Sequence, residues 1–142
     1  MTDIRKYAVE PTSILHLRNA SDELLYAEDA EGNPDKTRPM EAELYGPGSK
    51  QFKKAQAASS NRLVERMKKK GKDTQSAEEK AASDAEFLAA CTKSLHNVSF
   101  DALTGEALFI AVYTAPEIGF IAEQVNKHIG DWSNFTKASP TI

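Results

Sequence analysis

Up to about residue 48, apolar positions come in short clusters separated by turn formers. Residues 14–17 and 24–26 are two such clusters, and Asn19-Ala-Ser-Asp22 between them has the composition of a hairpin connection. Residues 30–39 are polar and contain two prolines, and they read as a loop without regular structure. Met40, Ala42 and Leu44 then alternate with Glu41, Glu43 and Tyr45, the period of two that a half-buried strand requires. The pattern predicts a small antiparallel sheet.

After Gly48 the period lengthens to that of a helix. Ser49 can cap, and Phe52, Ala55, Ser59, Leu63 and Met67 recur at three- and four-residue steps among lysines and arginines. The basic run from Lys68 to Lys72 suits a frayed helix end, where cations complement the dipole. Ser76-Ala-Glu-Glu79 has capping-box spacing and opens a second helix, with Ala81, Ala85, Leu88, Cys91 and Leu95 on one face and an end expected near His96-Asn97. A third helix over residues 106–113 is apolar on most sides and therefore buried.

Thr114-Ala-Pro-Glu117 supplies a new start, with a capping threonine and a proline in the first turn. Ile118, Ile121, Ala122, Val125, Ile129 and Trp132 carry its stripe, and Gly130 weakens the last turn by about 1 kcal/mol relative to alanine. The tail beyond Phe135 is polar and expected to be loose. The fold class is thus α+β: a small N-terminal antiparallel β-sheet followed by a mainly α-helical region of about four helices. The natural partition is a β-rich part over 1–48 and a helical part over 49–142, with one shared core possible.

Composition agrees with one soluble domain. The 142 residues are 40% hydrophobic and 27% charged, with a mean hydropathy of −0.52 and a net charge of −3. No apolar run reaches the roughly 18 to 20 residues that span a bilayer, and the start lacks a secretory apolar segment. A single cysteine, Cys91, allows no internal disulfide and no thiolate metal cluster. The chain is therefore expected to be cytoplasmic, and the Asn-X-Ser/Thr matches at Asn19, Asn97 and Asn134 to be chance.

Catalytic chemistry finds little support. Gly46-Pro-Gly-Ser-Lys50 superficially resembles a phosphate cradle, yet its glycines are two apart and its serine precedes the lysine. A P-loop needs the reverse order and a longer span, so a strand-to-helix turn explains the residues better. His16, His96 and His128 lie in separate elements without metal-ligand spacing. Cys91 sits on an apolar stripe, the position of a small core hydrophobe. No catalytic, cofactor-binding or metal-binding residue is assigned.

Charge is concentrated instead. Half of the 18 basic residues fall between Lys50 and Lys72, with Glu65 the only acid from Lys50 to Lys70. Lys53, Lys54, Arg62, Arg66, Lys68, Lys69 and Lys70 form the expected basic surface. Aromatic residues do not interleave with them, which disfavours nucleic-acid stacking and favours a solvated or protein-docking face.

The order of these features resembles the tail assembly chaperones of long-tailed bacteriophages (siphophages and their prophages). The matching pieces are Leu44-Tyr-Gly-Pro-Gly-Ser49 with Phe52, the basic stretch Arg62 to Lys70, Ser76-Ala-Glu-Glu79, and Ile121-Ala-Glu-Gln-Val125 followed by Trp132-Ser-Asn-Phe135. They span about two thirds of the chain. The proline-containing loop up to Pro39 and the weak landmark around Ser94 to His96 depart from the family pattern.

The resemblance implies a non-enzymatic helper without cofactor. Such a helper binds the phage tape measure protein, keeps it soluble and recruits tail-tube protein, and it is absent from the mature virion. Families of this kind often make a second, frameshifted product. Phe52, Leu63, Met67, Phe120, Trp132 and Phe135 are the candidate partner contacts, and a homo-oligomer is compatible with them. Two other readings stay open: a structural virion protein such as a tail-tube or connector subunit, and a small nucleic-acid-binding regulator using the basic helix.

Overall fold

A computed structural model describes residues 1–70 and 77–136, with the backbone but not the side chain of Lys70. In chain order the strands and α-helices are β1 (Thr12–His16), β2 (Tyr26–Glu28), β3 (Pro34–Pro39), β4 (Glu41–Tyr45), α1 (Lys50–Lys70), α2 (Ala77–Ala90), β5 (Thr92–His96), α3 (Gly105–Thr114) and α4 (Gly119–Ile129). The architecture is α+β, as the hydrophobic rhythm predicts.

The alternation at Met40–Tyr45 places Ala42 and Leu44 inward with no exposed surface. This strand, β4, is the centre of a three-stranded antiparallel sheet in the order β1-β4-β5. Thr12 pairs with Tyr45 and His16 with Glu41 on one side, and Glu41 pairs with His96 on the other. The Asn19 turn forms, its Oδ1 accepting from the amides of Ser21 and Glu23 and Asp22 taking a positive φ of 65°, but it closes only the isolated Arg18–Leu24 bridge, and β1 and β2 join different sheets.

Two sequence expectations fail here. Residues 34–39 are not an irregular loop: β3 pairs antiparallel with β2 in a separate two-stranded sheet. Prolines at both ends mark it as an edge strand, where a missing N–H costs no ladder bond. Asp35 stiffens it by accepting from the amide and hydroxyl of Thr37 and from Arg38. Those bonds, the Thr37 hydroxyl foremost, lower the Asp35 pKa to about 2. The second failure is the expected extension of the second helix to His96. That helix ends at Ala90, where the Tyr45 amide donates to the Cys91 carbonyl at 2.7 Å and turns the chain into β5. The ladder with β4 outweighs the helical spacing of Leu88, Cys91 and Leu95.

The start of the last helix also differs. Thr114 does not cap it; its hydroxyl donates back to Ile110 O at 2.7 Å, within α3. Ala115 occupies the cap position without a side-chain bond, and a 3-10 turn over Pro116–Ile118 leads into α4. Ile121, Val125 and Ile129 then enter the core, and α4 stops at Ile129 before Gly130. The tail from residue 137, the Lys72 end of the basic run and the Ser76 capping position lie outside the described residues.

The buried cluster draws on both sides of the Gly46–Gly48 turn. Leu17, Ala42 and Leu44 pack with Ala55, Leu88, Cys91, Leu108, Val112, Tyr113 and the α4 stripe. A partition at residue 48 therefore separates rhythms in the sequence rather than separate cores, and β5 places a strand inside the part expected to be helical. No single helix among the described residues is long and apolar enough to cross a membrane. The α3 helix and the Pro116–Ile129 segment satisfy length and composition only together, and they bend by 81° with inward side chains in the core.

Candidate partner surface on the basic helix

The Gly46-Pro-Gly-Ser49 turn sets the direction of α1. Ser49 is almost fully buried; its hydroxyl donates to Gly46 O at 2.7 Å and accepts from the Phe52 amide at 3.1 Å. Both capabilities of the hydroxyl are thus engaged in the cap, the role expected of it and not that of a phosphate cradle.

From that start, α1 lays one side on α2. Phe52 meets Phe87 edge-on at 5.7 Å, Ala55 is buried, and Arg62 Nε lies 3.0 Å from Glu86 Oε2. That last contact is ionic, because the Nε–H lacks an aligned acceptor. Leu63 is half-buried on the same side. One turn around the helix the character changes: Val64 and Met67 are each 46% exposed, three residues apart and so on one face. Lys50, Lys53 and Lys68 share that outward side, flanked by exposed Lys54 and Lys69, with Ala57 and Ser60 at its rim toward α2.

The expected partner contacts therefore divide. Met67 is open to solvent, and Trp132 is 56% exposed. Phe52 and Leu63 are half-covered by the seam with α2. Phe120 is half-buried on the rim of an apolar cleft of about 150 Å³, with Met40, Phe100 and Ile118. Phe135 is 1% exposed and offers no surface to a partner. Of the basic set, Lys53, Lys54, Lys68 and Lys69 are exposed, Arg62 is paired with Glu86, and Arg66 lies half-buried beside Lys80, Ser83 and Asp84. The Lys70 side chain lies outside the described residues.

Sequence reasoning missed Val64, which falls off the inward stripe; its spacing to Met67 and Lys68 was the available signal. It also missed a polar clasp between β1 and α4, in which Ser13 Oγ and His128 Nε2 lie 2.8 Å apart. Burial holds the His128 pKa below its usual value, with the neighbouring Asp131 charge opposing. Asp131 Oδ1 is engaged by the amide and hydroxyl of Ser133, and the Phe135 ring stands edge-on to His128 at 5.5 Å. The other histidines are local: His16 Nε2 is 2.8 Å from Leu25 O, and His96 Nε2 is 2.8 Å from Ser94 Oγ.

Cys91 is fully buried, and burial pushes its thiol up to about 12, so it behaves as core and not as a nucleophile. Among the described residues no group of three or more His, Cys, Asp or Glu side chains is placed to hold a metal ion. Compared with protein-family models, curated proteins and solved structures, the chain matches none.

Proposed function

We propose that this protein is a tail assembly chaperone of a long-tailed phage, a non-enzymatic helper that binds the tape measure protein, keeps it soluble and promotes assembly of tail-tube protein around it. The observation that supports the reading is the form of α1: a 21-residue basic helix seated on the core by one side, with Val64 and Met67 open on the other. A helper must hold an amphipathic partner reversibly, and helix-on-helix contact with an apolar seam and charged flanks does that. The order of turn, basic helix, acidic second helix and aromatic close adds the family resemblance.

In this reading the protein acts in the host cytoplasm and is left behind when the tail is complete. Co-expression with a tape measure fragment tests the activity directly: the fragment should become soluble and co-purify with the helper. A fragment that is soluble alone and forms no complex argues against the proposal. Mass spectrometry of finished particles separates it from the structural-subunit reading, because a tube or connector subunit is abundant there and a helper is not.

A further inference from the structure

The α1 helix presents two chemically different long sides, and among the described residues only one of them is packed against another element. The inward side carries Phe52, Ala55, Arg62 and Leu63 against α2. The outward side carries Val64 and Met67 as an apolar pair, one turn from Lys68 and in line with Lys53 and Lys50. Glu65 is the only acid anywhere in the helix. The apolar stems of the lysines extend the floor made by Val64 and Met67 while their ammonium groups stand at its edges.

The exposed small residues Ala57 and Ser60 lie at the rim between this side and α2, where they border a depression that Phe87 also lines, so a second helix can approach closely along that line. We infer that the outward face of α1 is the docking surface for an acidic amphipathic helix, with Val64 and Met67 contacting the partner's apolar stripe and Lys50, Lys53, Lys54, Lys68 and Lys69 meeting its carboxylates. This assignment rests on the helper reading and names its surface: Val64 replaces Leu63 and Phe52, which face α2.

Charge selects the occupant. A basic or neutral helix would leave the lysine row repelled or unanswered, whereas alternating carboxylates on the partner's flanks complement it. Nucleic acid would satisfy the lysines but leave Val64 and Met67 facing a phosphate backbone, and Phe87, the aromatic that borders Lys53 and Ala57, is half-buried and engaged edge-on with Phe52 rather than open to a base.

The probe is a labelled synthetic 21-residue peptide with leucine at i, i+3, i+4 and i+7 spacing and glutamate elsewhere. Its binding to the full chain is followed by fluorescence anisotropy at about 50 mM and about 500 mM salt. Binding is expected at low salt, weakened at high salt, and reduced about tenfold or more in the Val64→Asp/Met67→Asp variant. It should also be reduced in Lys53→Glu/Lys68→Glu, and unchanged in Leu103→Ala, an exposed apolar residue outside α1. The charge variant alters only exposed side chains, so it reads the surface even if the apolar variant unfolds.

No binding at low salt overturns the inference, as does equal binding of the version with lysine in place of glutamate, or unchanged affinity in both double variants. A DNA duplex bound more tightly than the peptide assigns the face to phosphates and also overturns it. Self-association that only the Val64/Met67 variant abolishes, without peptide binding, assigns the face to a second copy instead. A bound acidic peptide together with a failed tape measure co-expression leaves the surface standing and removes the phage role.

Discussion

The ring of Phe135 occupies the space that a side chain on Gly46 would need: a Cβ built on Gly46 falls 2.5 Å from Phe135 Cε2. The glycine that leads out of β4 is therefore required by the aromatic that closes the chain's last described turn, and the contact joins the two ends of the fold. The Phe135 carbonyl in turn accepts a 2.7 Å hydrogen bond from the Glu10 amide, tying down the approach to β1.

Replacing Gly46 by alanine forces that ring to move, so Gly46→Ala is expected to destabilise by about 1–3 kcal/mol through overpacking. Phe135→Ala should cost about 3–5 kcal/mol, because it empties a fully buried site. Trp132→Ala, at a half-exposed ring, should cost about 1 kcal/mol or less. Urea unfolding of the three variants checks the ranking; a Gly46→Ala protein as stable as the parent would show that the ring is not held there.

Thr92 and Tyr113 make a second dependent pair. The Thr92 hydroxyl donates to Leu88 O at 2.8 Å, so the Tyr113 hydroxyl, 2.7 Å away, must donate to Thr92. Burial pushes the Tyr113 phenol up to about 12. Thr92→Val leaves a buried phenol without its acceptor and should cost about 1–3 kcal/mol, more than Tyr113→Phe at about 0.5–1.5 kcal/mol. The double variant should be less destabilised than the sum of the two; strict additivity in a denaturant cycle would contradict the bond, and a reversed ranking of the single variants would contradict its direction.

His128 sets a pH dependence with a definite sign. Its folded pKa lies below 6.5, the value of an unperturbed histidine, chiefly because burial disfavours the imidazolium. As pH falls below about 6.5 the unfolded chain takes up a proton that the folded chain declines, so stability drops. His128→Gln should have a shallower slope from pH 6.5 downward, toward the folded pKa, and little difference above pH 7.5. Equal slopes in parent and variant, measured by unfolding across pH 5 to 8, would place the dependence elsewhere.

Cys91 should be unreactive in the folded protein. With the thiol pKa pushed up to about 12 and no exposed surface, labelling by a disulfide reagent at pH 8 should proceed only as fast as the chain opens. Addition of urea should accelerate it through the unfolding transition. Rapid labelling in native buffer would mean that the α2–β5 corner opens locally.

The sequence made β4, the Ser49 cap, α1 and α3 legible, because each rests on nearby residues: an alternation, a capping hydroxyl, a repeat of three and four. It misassigned residues 92–96 because Leu88, Cys91 and Leu95 satisfy a helical stripe, whereas Thr92 and Leu95 meet Leu44 and Ala42 only through a register shift in the ladder that no period of two announces. It missed β3 because two prolines and a polar composition look like loop until an edge strand is available. For the surface it named Met67 and the lysines but credited Phe135, whose burial depends on Gly46, a residue 89 positions away in sequence.

By itself, then, the sequence determined the α+β class, the change of rhythm at Gly46–Gly48 and the concentration of positive charge on one helix. These are consequences of local periodicity, backbone chemistry and composition. Tertiary structure alone decided that β5 completes the sheet, that Phe135 faces inward while Trp132 faces out, and that Val64 rather than Leu63 is the open neighbour of Met67. Each of those outcomes is fixed by pairing or burial against an element far along the chain, a contact that no single stretch of residues encodes.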